Sequence, residues 1–309
     1  MASYITVDSG TTNTRVSLVF DGRLIDTLKF GVEPKENESR KDCLTRLLRK
    51  AIANVLEKNK MQETQISRII ASGMITSEIG LIELEHVKAP CGVKELSENL
   101  YEITIEEISK IPFVFIRGVK YISDDNVDMM RGEETEIYGI NPKANTLYVL
   151  PGSHSKLVLM DNENRISHFS TCLTGEMIGA VANNTILKGC VDLSKSATDE
   201  DFLQKGYLFA KENGINSALF KVRSLKKFSR TDDNQTLSFF MGVMLACEID
   251  NIVKSSAQRV VIGGKNQLKD PTAFLLKQNS RKEILTVSEE EASNATVIGA
   301  IMIYENSLL

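Results

Sequence analysis

The chain has 309 residues, of which 42% are hydrophobic and 25% charged, and its net charge is −4. That is the balance of a folded globular protein long enough for two domains, and it excludes a global basic field for nucleic acid. The five cysteines are scattered without a CxxC pair, and His86, His154 and His168 are the only histidines. This argues for a reducing compartment and against a disulfide framework, a zinc site or a histidine-rich metal centre.

The start of the chain has no basic segment followed by an apolar one, so no signal peptide is read there. The most apolar run, Leu237 to Cys247, is too short to span a bilayer. A cytoplasmic location with no membrane partner is the expectation.

The first elements are two strand-like runs, Tyr4 to Val7 and Val16 to Phe20, around the turn Asp8-Ser9-Gly10-Thr11-Thr12-Asn13-Thr14-Arg15. Small residues let backbone N–H groups approach an anion, and the threonine hydroxyls add donors. Asp8 has the wrong charge to meet phosphate directly. It suits a phosphate site where a magnesium ion with its waters lies between. The same string is also ordinary hairpin-turn chemistry. A third strand is predicted over Arg23 to Phe30 after Asp21-Gly22. Leu44, Leu47, Leu48, Ala51, Ile52 and Val55 recur at helical spacing. Ile66 to Ala71 reads as a buried strand running into Ser72-Gly73-Met74-Ile75-Thr76-Ser77, and residues 81–110 hold only short apolar groups.

Short strands are predicted at Phe113 to Ile116 and at Tyr121 to Ser123, then a helical passage through Met129, Met130, Thr135, Ile137 and Tyr138. Asn141-Pro142 ends it. A strand, turn, strand, turn, strand pattern occupies 147–173, as it does 4–30, which fits two related halves. The remainder is mainly helical, broken by the strand Arg259 to Ile262 with Gly263-Gly264 at its end, and closed by an apolar helix from Ala295 to Tyr304.

Asp124-Asp125-Asn126 follows a strand and precedes Arg131-Gly132-Glu133-Glu134. A carboxylate there suits a general base for an alcohol, and it equally suits a helix N-cap. Gly152, Gly263 and Gly264 follow strands, as nucleotide-contacting turns do, although Gly263-Gly264 also reads as a plain loop. His154 and Lys156 flank the Gly152 turn and can meet anionic oxygens. Neither a P-loop nor a GxGxxG fingerprint occurs.

The order of these pieces resembles the actin-like ATPase superfamily, which includes sugar kinases and actin. Five strings are more specific: Asp124 to Thr135, Pro151-Gly152-Ser153-His154-Ser155-Lys156, Thr174-Gly175-Glu176, Ser72-Gly73-Met74, and Asp8 to Asn13. Together they resemble the 2-dehydro-3-deoxygalactonokinase family over essentially the full length. The resemblance implies an α/β, two-domain actin-like (ribonuclease H-like) fold with an ATP cleft between domains. The domains are expected at 1–142, with the helix 295–309 packing back, and at 143–294.

The implied reaction transfers phosphate from ATP, with Mg2+, to the 6-hydroxyl of 2-dehydro-3-deoxy-D-galactonate. The resemblance makes Asp8 the magnesium-organising carboxylate. Gly10, Thr11, Thr12 and Asn13 become the first phosphate loop, and Gly152, Ser153 and His154 the second. Gly263 and Gly264 lie on the adenosine side. Asp124 aligns best with the base, with Asp125 its close rival, while Asn126 and Glu133 orient substrate or metal. Gly73, Met74, Ser77, Arg131 and Lys156 fall on the substrate side. Arg15, Arg117, Arg131 and Lys156 all remain candidates for the cation that grips the sugar carboxylate.

The chain has no tryptophan. Leu81 and Leu157 stand where the family often carries one, at positions expected to border the sugar pocket, which leaves the exact acid open. A same-fold kinase for another keto-acid or aldonate, a nucleotide-binding regulator and a plain ATPase are the rival readings. Oligomeric state is open, with a homodimer as one option.

Overall fold

The computed structural model describes residues 2–10, 13–264 and 267–309. The chain forms two compact units, one from Met1–Ala144, Met160–His168 and Glu290–Leu309, the other from Asn145–Leu159 and Phe169–Glu289.

The first unit opens with β1 (Ser3–Ser9), β2 (Asn13–Phe20) and β3 (Arg23–Gly31), all antiparallel neighbours. Asp21 and Gly22 both have positive φ, the geometry of a tight hairpin turn. In α1 (Arg40–Lys58) the Ser39 side chain caps the first turn, and Cys43, Leu44, Leu48, Ile52 and Val55 form the buried stripe. β4 (Arg68–Gly73) then pairs parallel with β1 and places Gly73 opposite Ser9. The small elements β5 (Val87–Lys88), α2 (Val93–Glu98), β6 (Tyr101–Ile103) and β7 (Phe113–Phe115) follow. The six-stranded sheet runs β3-β2-β1-β4-β7-β6. Ile5, Val16, Ile69, Phe113 and Phe115 join the α1 stripe in its core.

β8 (Val119–Ile122) and β9 (Val127–Met130) form an antiparallel hairpin in a separate sheet with β5, and α3 (Glu133–Gly139) follows. The helical passage expected through Met129 and Met130 is therefore a strand. Met129 is exposed and Met130 buried, which is period-two alternation. Gly132, with φ +109, separates strand from helix in a conformation no helix contains.

The second unit repeats the scheme. β10 (Thr146–Leu150), β11 (Ser155–Met160) and β12 (Ile166–Cys172) precede four helices: α4 (Thr174–Asn184), α5 (Glu200–Asn213), α6 (Ile215–Phe228) and α7 (Asp233–Lys254). β13 (Arg259–Ile262), α8 (Lys269–Asn279) and β14 (Glu283–Thr286) complete it. The sheet order is β12-β11-β10-β13-β14, with β13 parallel to β10 and to β14. The segments 4–30 and 147–173, read as a repeat, supply the first three strands of the two sheets in the same order.

α7 is longer than the apolar run suggests and could cross a membrane by length and composition, but 78% of its apolar window is buried within the protein. It is a core helix, apolar nearly all round. It crosses α5 closely: a Cβ on Gly206 would lie 2.1 Å from Phe239 O, and one on Gly242 2.0 Å from Leu203 O. The last helix, α9 (Glu289–Asn306), meets α3 in the first unit in the same way. There a Cβ on Gly139 would lie 1.7 Å from Ala295 O, and one on Gly299 1.8 Å from Thr135 O.

Candidate active site

In the first unit, the ends of β1 and β4 bring three candidate segments together. Gly10 N–H donates to Asn13 O at 2.8 Å and closes the first turn. Asp8 faces Arg15 across the hairpin, and their side chains form an ion pair at 2.7 Å. Thr11 and Thr12 lie outside the described residues. A Cβ on Gly73 would sit 2.4 Å from Ser9 O, and its φ of +83 also favours glycine. Met74 is half-buried after it, and the buried Ser77 donates its hydroxyl to Met74 O at 2.7 Å.

Each residue from Arg131 to Thr135 has a distinct structural task. Arg131 Nη1 donates to Thr76 O at 2.5 Å and to Thr76 Oγ1 at 2.6 Å, and Nη2 to Leu84 O at 3.2 Å. The guanidinium thus braces the loop after Gly73, so its contacts are those of a strut rather than an open carboxylate clamp. Glu133 Oε2 accepts the Arg131 backbone N–H at 2.9 Å. Gly132 N–H donates to both Glu134 oxygens, at 2.9 and 2.8 Å. Thr135 Oγ1 donates to Gly132 O at 2.6 Å.

Glu134 is fully buried, and its carboxyl is pushed up to about 8. Desolvation is the main cause and the Glu133 charge adds to it. The N–H of Gly132 and the Arg131 charge oppose the shift but lose to burial.

Asp124 and Asp125 are exposed in the turn between β8 and β9, and Asn126 beside them is half-buried. The turn is closed by Ser123 N–H donating to Asn126 O at 2.9 Å. The N-cap alternative is excluded, because Gly132 precedes α3. The four residues of β9 put this turn roughly 13 Å from Arg131 along the strand. Asp128, which spacing did not single out, is half-buried and lies opposite Tyr121 on the face of the buried pair Val119 and Met130. Its signal in the sequence was the alternation of Val127 to Met130, masked by the helical reading.

In the second unit, the turn after β10 is locked to the start of α4. Gly152 N–H donates to Ser155 Oγ at 3.3 Å. Gly175 N–H donates to Gly152 O at 3.1 Å and Glu176 N–H to Ser153 O at 3.2 Å. A Cβ on Gly175 would lie 2.5 Å from Gly152 O, so glycine permits this approach. His154 Nε2 lies 2.8 Å from Glu176 Oε1, both side chains exposed. Lys156 is buried and donates to Thr171 Oγ1 at 2.7 Å. Gly263 N–H donates to Val149 O at 2.8 Å, which ties it into the sheet, while Gly264 takes φ +76.

Arg117, the remaining cation candidate, donates to Asn99 O and Glu85 O. Leu81 and Leu157 lie in the hydrophobic cores of the first and second unit. Both side chains therefore serve core packing, where the resemblance had placed them at the border of the sugar pocket. Among the described residues, no cluster of three or more histidine, cysteine or acidic side chains is arranged to hold a metal.

These paired hairpin-and-helix units have the actin-like ATPase fold used by sugar kinases. A candidate 2-dehydro-3-deoxygalactonokinase from Sinorhizobium meliloti matches with a TM-score of 0.78 at 21% identity, over 96% of this chain and 95% of that one. A ligand-bound xylulose kinase from Lactobacillus acidophilus matches with a TM-score of 0.58 at 10% identity, over 100% and 90%. The particular family follows from sequence: the chain belongs to the 2-keto-3-deoxy-galactonokinase family, whose model matches residues 8–301. The 2-dehydro-3-deoxygalactonokinase of Escherichia coli K12 is 27% identical over 284 residues, 88% of this chain and 89% of that protein. The protein is a sugar-acid kinase, and its family implies ATP as co-substrate.

Proposed function

We propose that the protein transfers the terminal phosphoryl group of ATP to the 6-hydroxyl of 2-dehydro-3-deoxy-D-galactonate, in the breakdown of D-galactonate. The observation that carries this reading is the meeting of three motif segments at Gly73, whose backbone touches Ser9 on one side and Gly132 on the other. Such a floor positions a phosphate and an alcohol, and positioning is most of what phosphoryl transfer requires.

Asp8 fits a magnesium ion carried in by the nucleotide, since that ion needs only one or two carboxylates beside phosphate oxygens and water. Bound there, magnesium would neutralise charge on the transferring group. Arg15 already pairs with Asp8 across the hairpin and orients that carboxylate. The turns around Gly10, Asn13, Gly152, Ser153 and His154 serve the phosphates, and Gly264 the adenosine side. Gly73, Met74, Ser77 and Asn126 serve the sugar acid. Arg131 and Glu133 act through the segment they brace, and Lys156 through its bond to Thr171 on β12.

The base is a carboxylate of the β8–β9 hairpin. Asp124 and Asp125 stand in the exposed turn, and the half-buried Asp128 lies nearer the Gly73–Gly132 contact along β9, which favours Asp128. It would take the hydroxyl proton as the phosphoryl group moves. A cytoplasmic location accords with use of ATP.

The test is ADP release by purified protein with ATP and magnesium, with and without 2-dehydro-3-deoxy-D-galactonate. The gluconate epimer and plain galactonate serve as comparisons. Strong stimulation by the galactonate-derived keto-acid alone is expected. Stimulation by another acid moves the substrate within the same mechanism, and silence with all three overturns the kinase reading.

A further inference from the structure

Glu248 stands out in α7 because its neighbours at helical spacing, Met244, Leu245 and Ile252, are buried apolar residues. Its own exposure is only 3%. A carboxyl on such a face is costly, and an apolar side chain of similar size would serve packing better. Stability alone therefore does not account for an acid here.

Its contacts point to another task. Thr174 Oγ1 donates a short hydrogen bond to Glu248 Oε2. Ser155 and Thr174 are both buried, and both hydroxyls favour the charged carboxyl, though burial outweighs them and raises its pKa. Glu248 Oε1 has no hydrogen-bond partner among the described residues. Thr174 is the first residue of α4, immediately before the two N–H groups that grip Gly152 O and Ser153 O. Ser155 is the first residue of β11, and its hydroxyl accepts the Gly152 N–H. One buried carboxyl thus holds the residue that leads directly into these contacts.

We propose that Glu248 is a positioning residue that holds Thr174, and so keeps the start of α4 against the 151–155 turn. That this turn meets nucleotide phosphates rests on the function proposed above; the clamp itself does not. A rigid core helix is a suitable anchor, because α7 cannot shift without disturbing the whole unit.

The test compares the full-length protein with Glu248→Gln and Glu248→Leu, using hydrogen exchange over 150–156 and 172–178 and titration with magnesium–ADP. Glu248→Leu should fold, keep the α7 amides protected, and exchange faster in those two segments. Its ADP affinity should fall by about tenfold, the scale of one lost hydrogen bond. Glu248→Gln retains an acceptor and a donor, so it should restore slow exchange and bring affinity within about threefold of the parent. Should Glu248→Leu not fold, Thr174→Val removes the same contact from the other side. Unchanged exchange in the turn of a folded variant overturns the clamp. Faster exchange in Glu248→Leu, with a parent protein that binds no ADP, supports the clamp and overturns the phosphate reading instead.

Discussion

Gly132 lies directly on Gly73: a Cβ on Gly132 would fall 3.2 Å from the Gly73 Cα. The residue before α3 and the residue ending β4 thus touch through their backbones, with Ser9 O on the far side of Gly73. Each has a positive φ. The contact joins two motif segments that are far apart in the chain, and side chains would separate them.

Gly73→Ala is expected to be the more damaging single change. The backbone there has φ +83 and ψ −152, a region almost confined to glycine that costs other residues about 1–3 kcal/mol. The methyl group would also meet Ser9 O at 2.4 Å. A lower Tm by calorimetry and at least about a tenfold loss of kcat/KM are expected, since one tenfold step is only about 1.4 kcal/mol.

Asp124→Asn, Asp125→Asn and Asp128→Asn form one experiment. Loss of a general base costs about 100-fold or more in rate. Asp128→Asn should show that loss in kcat with ADP affinity preserved, and the two turn variants should stay within about tenfold. A dead Asp124→Asn with an active Asp128→Asn would place the base in the turn.

Asp8→Asn tests the magnesium assignment. The magnesium concentration for half-maximal turnover should rise, with little change in the KM for sugar acid. An unchanged magnesium requirement would remove Asp8 from that role.

Glu134 makes a pH prediction. Its carboxyl has its folded pKa raised from 4.5 to about 8. Below the ordinary value it is protonated whether folded or unfolded, so the advantage of the protonated folded form is fully present. As pH rises from there towards 8, the unfolded chain releases the proton and the folded chain keeps it. Stability is lost across that window at up to about 1.4 kcal/mol per pH unit, then levels off. Glu134→Gln should flatten this slope, seen as a Tm advantage over the parent that grows with pH.

Arg131→Lys keeps the charge but not the fork. A lysine cannot hold Thr76 O, Thr76 Oγ1 and Leu84 O together. A stability loss of about 2–3 kcal/mol is expected from denaturant titration. The KM for sugar acid should rise more than the KM for ATP.

The two hairpins that open the sheets were legible because their periods are short and their turn residues chemically distinctive. Asp21-Gly22 fixes one turn locally, and Ile5 and Val7 are buried whatever lies beyond them. The tasks of Arg131 and Glu248 were not legible. Thr76 is 55 residues from Arg131 and Thr174 is 74 from Glu248, so neither spacing nor periodicity connects them. The β9 strand was misread because Met129 and Met130 are good helix formers, and the glycine that stops a helix comes after them. Leu81 and Leu157 could be placed at the pocket only by analogy, since burial in a core depends on neighbours the local sequence does not reveal.

The packing of α9 on α3 through Gly139 and Gly299 has a consequence during synthesis. The first unit needs residues 290–309, yet the residues of the second unit, which end at Glu289, emerge from the ribosome before them. At ordinary elongation rates the amino-terminal segment waits on the order of ten seconds for its last helix. Through that interval the α3 surface around Gly139 stays uncovered, and chaperones have their best opportunity to bind the nascent chain.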